Sequence, residues 1–162
     1  MKVDDFEQLY MAELEELRSV ESQMIDHLGQ FAGQATNTTL SEVIDAHRDQ
    51  TNEHRDRIDH LLEAHGGRPE AHQDASMHAL LDEAEKWAGM IESGSLRDAG
   101  LIASLQRMEH YEIAVLGTLA NWAKKLGHDD DAMVLSHILD QNRQTDARLS
   151  AIADEIVNPA AS

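Results

Sequence analysis

The chain has 162 residues, with 13 Lys and Arg against 31 Asp and Glu for a formal charge of −18, no cysteine and two prolines. That length suits one domain spanning 1–162 and able to bury roughly 70% of its unfolded surface. The missing cysteines exclude disulfides, thiolate metal sites and iron–sulfur clusters, and the acid excess weighs against nucleic acid and anionic lipid as partners.

An aromatic content of 4% leaves few platforms for stacking bases. No run approaches the 18 apolar residues of a membrane span, and the acidic start lacks a signal peptide's basic and apolar regions. The expectation is a soluble cytoplasmic protein whose partners are cations, small molecules or other protein chains.

The only prolines are Pro69 and Pro159, so two long stretches carry no helix breaker, and runs of β-branched and aromatic residues with period two are absent. The class is therefore all-α. A first helix is predicted from Val3 to Gln34, with Phe6, Tyr10, Leu14, Leu17, Met24, Leu28 and Phe31 on one face. Thr38 or Thr39 is placed to cap a second, with Glu42 closing a capping box, and it runs to His65 before Gly66-Gly67-Arg68-Pro69. A shorter third helix covers Ser76 to Glu92. The fourth begins near Ser95, with Asp98 three residues on, and ends at Gly127. The last follows Asp129-Asp130-Asp131, carries Val134, Ile138, Leu149, Ile152 and Ile156 on its face, and stops at Pro159.

Four helices of matched length and one short helix in a long connection predict an antiparallel four-helix bundle whose second and fourth helices run parallel. The apolar seam of each long helix is interrupted near its midpoint: by Glu21 on the first, by His47, Gln50/Thr51 and His54 on the second, by Glu109 and Glu112 on the fourth, and by Gln141/Asn142 and Thr145 on the last. Helix midpoints share one layer in such a bundle, so these side chains should meet. Buried polar groups need partners. Three carboxylates and two imidazoles are the donor set of an iron, manganese or zinc site, while the alternative is a hydrogen-bonded network that fixes helix register, with Glu109 bonded to Gln141 and His47 to Glu21.

Met108-Glu109-His110-Tyr111-Glu112-Ile113-Ala114, followed by Gly117-Thr118-Leu119, resembles the YciF-like, ferritin-like bacterial stress-protein family. Val20-Glu21-Ser22-Gln23, Ala46-His47 with Thr51, Arg57-Ile58, Arg97-Asp98-Ala99-Gly100-Leu101-Ile102-Ala103 and Thr145-Asp146 with Leu149 extend the resemblance over nearly the whole chain. It implies a ferritin-like bundle, dimeric, induced under stress and carrying a di-metal centre. The matched candidate ligands are Glu21, His47, Glu109 and Glu112, and His54 joins them from spacing alone. Gln50 stands where the family has Glu, and Gln141 with Asn142 where it has adjacent acids. With those carboxylates gone, a single iron or manganese ion, or no ion, is expected in place of a full di-iron pair.

Six further histidines, His60, His65, His72, His78, His128 and His137, are expected on surfaces and loops without partners on a common face. His110 is expected beside the seam, supporting a Glu if buried. Trp87 and Trp122 are expected to anchor the third helix or a partner subunit. Two functions follow from different classes: a stress-associated metal-binding bundle acting on peroxide or dioxygen, or a non-enzymatic homodimer whose polar layer fixes pairing and whose acidic surface meets a protein partner.

Overall fold

A computed structural model describes residues 2–70 and 72–162. Helices α1 (Phe6–Gln34), α2 (Thr38–Ala64), α3 (Ala75–Met90), α4 (Gly94–Leu126) and α5 (Asp129–Ile152) are followed by a π-helical turn (Ala153–Val157) and a final short helix (Asn158–Ala161). There is no strand among the described residues. Nor is any helix among those residues long and apolar enough to cross a membrane.

Local chemistry sets each boundary. Asp5, in extended conformation, accepts from the Gln8 amide at 2.8 Å, so α1 begins at Phe6 rather than Val3. The expected Thr38/Thr39 cap and Glu42 capping box do not form. Asn37 caps α2 through its side-chain oxygen on the Leu40 amide, 3.0 Å, and Thr38 is already helical. Gly66 then turns left-handed at φ 71°, and Gly67 and Gly66 donate to the Leu62 and Glu63 carbonyls. This Schellman geometry closes α2, and Gly127, at φ 82°, ends α4.

α3 starts where Asp74 accepts from the Met77 amide. Asp98 does not help to start α4. Its buried carboxylate reaches across to the α1–α2 turn, accepting from the Thr36 amide (2.7 Å), the Thr36 hydroxyl (2.7 Å) and the Asn37 amide (2.9 Å). A Cβ on Gly94 would come within 2.8 Å of Thr36, so α4 begins on a residue without one.

α1 pairs with α2 and α4 with α5, and the two hairpins join through α1–α4 and α2–α5 contacts, forming the expected four-helix bundle. The α1–α2 turn meets the start of α4, while the end of α2 meets the α4–α5 junction. Hence α2 and α4 run parallel and the long connection between them climbs the bundle. Within it, α3 packs on α1 and α4. Tyr111 of α4 donates to Asp74 at 2.6 Å, and the Asp74 amide donates to Ser19 of α1 at 3.0 Å, pinning the start of α3 to both neighbours.

Tyr10, Leu14, Leu17, Met24, Leu28, Phe31, Leu40, Ile58, Leu105, Leu116, Leu119 and Ile138 fill the core. Three side chains depart from expectation. Phe6 is 41% exposed and packs edge-on against Trp122 at the rim, centroids 5.5 Å apart. Trp87 is exposed and donates to Glu83 on its own helix, so it does not anchor α3 to the bundle. Ile156 is exposed while Val157 is buried, because the π-helical turn widens the step after Ile152 from four residues to five.

Candidate metal centre

Glu21, His47, His54, Glu109 and Glu112 are all buried, at 0 to 5% exposure, together with Thr51 and Asn142. Each sits at a core-facing position one or two turns from large aliphatic side chains, so the helical period that builds the core also delivers these groups into it.

One ligand atom each from His47, Glu109 and Glu112 lies within 4.8 Å of the others. His47 Nε2 and Glu109 Oε1 approach to 2.5 Å, yet neither atom has the alignment of a hydrogen bond. Glu21 and His54 form a second pair beside this trio, Glu21 Oε2 lying 3.8 Å from His54 Nδ1, which is beyond hydrogen-bonding distance. The expected network pairing of Glu109 with Gln141 and His47 with Glu21 is not the arrangement formed. Gln141 instead sits 3.0 Å from His54, its Oε1 facing Nε2.

The inventory of unsatisfied atoms is unusual for a closed core. Both oxygens of Glu21 and of Glu109, Glu112 Oε2, both ring nitrogens of His47, His54 Nδ1 and both amide atoms of Asn142 lack hydrogen-bond partners. Left so, each would cost about 1–3 kcal/mol, more for a charged one. The protonation pattern lessens this. Burial first, then Glu112 and Glu109, holds the Glu21 carboxyl well above the usual carboxylate range. Burial and the neighbouring Glu109 push Glu112 up to about 8, with His47 pulling the other way.

Burial depresses His47, but the negative charges of Glu109 and Glu112 together outweigh it and lift its pKa above the ordinary value. Burial dominates at His54 and lowers it to about 4, so that ring is neutral at pH 7. With Gln141 accepting from Nε2–H, the Nδ1 lone pair is left facing Glu21. An imidazole with one nitrogen held by an amide oxygen and the other carrying a free lone pair is oriented as metal-ligating histidines are.

A crevice of about 210 Å³ lies between α2 and α5, with His47, Gln50, Gln141, Thr145 and Arg148 among its walls. Arg148 is exposed and His47 buried, so the crevice leads from solvent to His47. Gln50 and Gln141 line this passage. His110 does not support Glu109 or Glu112. Its side chain is 66% exposed and lies 3.2 Å from Asp146 on α5.

The donor set fits a divalent cation: carboxylate oxygens and imidazole nitrogens, converging and unsatisfied, on rigid helices. Periodicity placed the five candidates in one layer. It did not reveal Gln141 as the partner of His54, which depends on the relative rotation of α2 and α5.

A helical bundle with a buried layer of acids and imidazoles is the class defined by these features. The chain belongs to the family described as Domain of unknown function (DUF892), which matches residues 5–162. It is 33% identical over 162 residues to Protein YciF of Escherichia coli strain K12, covering 99% of this chain and 98% of that protein. The crystal structure of the E. coli stress protein YciF superposes with a TM-score of 0.92 at 32% identity, over 96% of this chain and 99% of that one. YcfI of Rhodopseudomonas palustris gives a TM-score of 0.91 at 32% identity, over 94% and 97%.

Proposed function

We propose that this chain is a cytoplasmic, stress-associated, ferritin-like bundle that holds one divalent ion, iron or manganese, through His47, Glu109 and Glu112, with Glu21 and His54 completing the surroundings. The observation that carries this reading is the convergence of ligand atoms from His47, Glu109 and Glu112, where both His47 nitrogens, both Glu109 oxygens and Glu112 Oε2 have no hydrogen-bond partner. Resemblance to a protein called a stress protein supports the physiological setting.

Such an ion would act as an electron donor toward peroxide or dioxygen. The protein's own groups do the rest. Glu21 and Glu112, both lifted by burial, carry protons at Oε atoms when no cation balances them, and release them as positive charge arrives. Gln141 keeps the His54 ring in one tautomer. The crevice beside Arg148 admits a small polar molecule to His47 while the aliphatic layers above and below exclude bulk water.

A single ion is favoured over a pair because Gln50 and Gln141 contribute no charge. The same two amides favour the second reading, a homodimer of structural role with a metal-free polar layer. Trp87 and Met90, exposed three residues apart on α3, supply the apolar contact for a dimer in either case.

Chelator-stripped protein titrated anaerobically with Fe(II) is expected to bind one ion per chain, with a rise in melting temperature. Glu109→Gln combined with His47→Gln should abolish both. Unchanged iron content in that double variant would overturn the assignment, and a melting temperature indifferent to chelation would favour the structural reading.

A further inference from the structure

Histidines that the sequence scatters come together at the end of the bundle opposite the α1–α2 turn. His65 caps the C-terminus of α2, His128 precedes α5, and Glu7 lies in the first turn of α1. The expectation that His65 and His128 lack partners on a common face fails, because loop closure rather than helical period brings them together. Their rings lie 4.5 Å apart, inclined at 57°. His128 Nε2 is 2.8 Å from Glu7 Oε1, and one ligand atom from each of Glu7, His65 and His128 lies within 4.8 Å of the other two.

Behind them stands Asp131, buried. Its Oδ2 is 2.7 Å from His65 Nε2 and accepts the Tyr10 hydroxyl, also at 2.7 Å. Tyr10 is fully buried, so this carboxylate is fixed from the core side. The two imidazoles remain reachable from solvent, their side chains 20 and 24% exposed.

We propose that this bundle end is a second cation site, independent of the central layer, taking a zinc-like divalent ion through His65, His128 and Glu7. Two imidazole nitrogens and one carboxylate oxygen form a borderline donor set, and a solvent-facing position remains for water, which is the ligand pattern zinc accepts readily. Asp131 is a positioning residue. It orients the His65 ring as second carboxylates orient metal-bound histidines, and Tyr10 in turn holds Asp131. The donors come from three chain segments, so the ion clips the start of α1 and the end of α2 to the α4–α5 junction.

The test uses full-length protein without an affinity tag, stripped of metal and carrying Glu109→Gln and His47→Gln so that the central layer is silent. Zinc titration should give one ion per chain and protect the amides of the first turn of α1 from hydrogen exchange. His128→Gln and Glu7→Gln replace side chains that are 24 and 45% exposed, so the fold should tolerate them. The first should abolish binding, the second weaken it, and Asp131→Asn should weaken it at least about tenfold.

In wild-type protein, imidazole NMR signals of His65 and His128 should shift with zinc, which tests the site even if a central-layer variant folds poorly. Zinc binding unaffected by His128→Gln would show an adventitious ion elsewhere and overturn the proposal. So would no uptake at any concentration the folded protein tolerates. Neither result bears on iron binding in the central layer.

Discussion

Replacing Glu112 by Gln should stabilise the metal-free protein while removing its capacity to gain stability from a metal. The folded-state pKa of Glu112 is about 8 against 4.5 for the free side chain. Between those values the folded chain retains a proton that the unfolded chain releases, so the contribution to stability is fully present below pH 4.5 and is lost as pH rises toward 8. At pH 7 the loss covers 2.5 pH units, and at about 1.4 kcal/mol each that is about 3 kcal/mol.

Gln has the shape of the protonated acid and never ionises, so it escapes this loss. Its second amide hydrogen needs an acceptor, which costs about 1 kcal/mol. The net gain is about 2 kcal/mol, or roughly 4–8 °C in melting temperature for a chain of this size. The assay is thermal unfolding in chelator from pH 5 to 8, read as the difference between variant and wild type. That difference should grow with pH. Adding Mn(II) should then reverse the order, raising the wild type and not the variant. A variant no more stable than wild type at pH 7 in chelator, or a difference that shrinks with rising pH, would refute the burial argument.

Three further outcomes follow from other parts of the fold. Asp98→Ala leaves three donors of the α1–α2 turn without their acceptor; at about 1 kcal/mol each the cost is about 3 kcal/mol, visible as a melting temperature lower by roughly 6–12 °C. Gln50→Glu with Gln141→Glu places two acids beside the central layer, and anaerobic iron loading should rise from one ion per chain to two while the metal-free protein loses stability. Trp87→Glu with Met90→Glu should convert a dimer to monomer in sedimentation equilibrium without changing helix content, since both side chains are exposed in the single chain.

The central layer was legible because burial leaves a periodic signature: Glu21, His47, His54, Glu109 and Glu112 occupy positions where the three–four spacing demands apolar side chains, and all five are buried. Helix ends carry no such signature. Glu7, His65, His128 and Asp131 are brought together by two glycine-terminated turns, and nothing in their spacing along the chain records the meeting. From sequence Asp98 resembles a local helix-start residue because capping rules reach only three or four positions ahead, whereas its partners lie more than sixty residues away. Val157 displaced Ile156 from the core because a single π-helical turn shifts phase, and a fixed 100° step cannot anticipate it. His110 sits one residue from Glu109, which in a helix is far enough around the axis to face water.

The division of the central layer between the two hairpins has a kinetic consequence. Glu21, His47 and His54 belong to α1 and α2; Glu109, Glu112, Gln141 and Asn142 belong to α4 and α5. Each hairpin is built from near neighbours and closed by a short turn, so each forms from contacts of low sequence separation. Glu21 meets Glu109 and Glu112 only when the hairpins dock, with the α3 connection as tether. The desolvation of the layer therefore falls on the docking step, and neutral substitutions there should hasten docking or slow separation while leaving hairpin formation untouched.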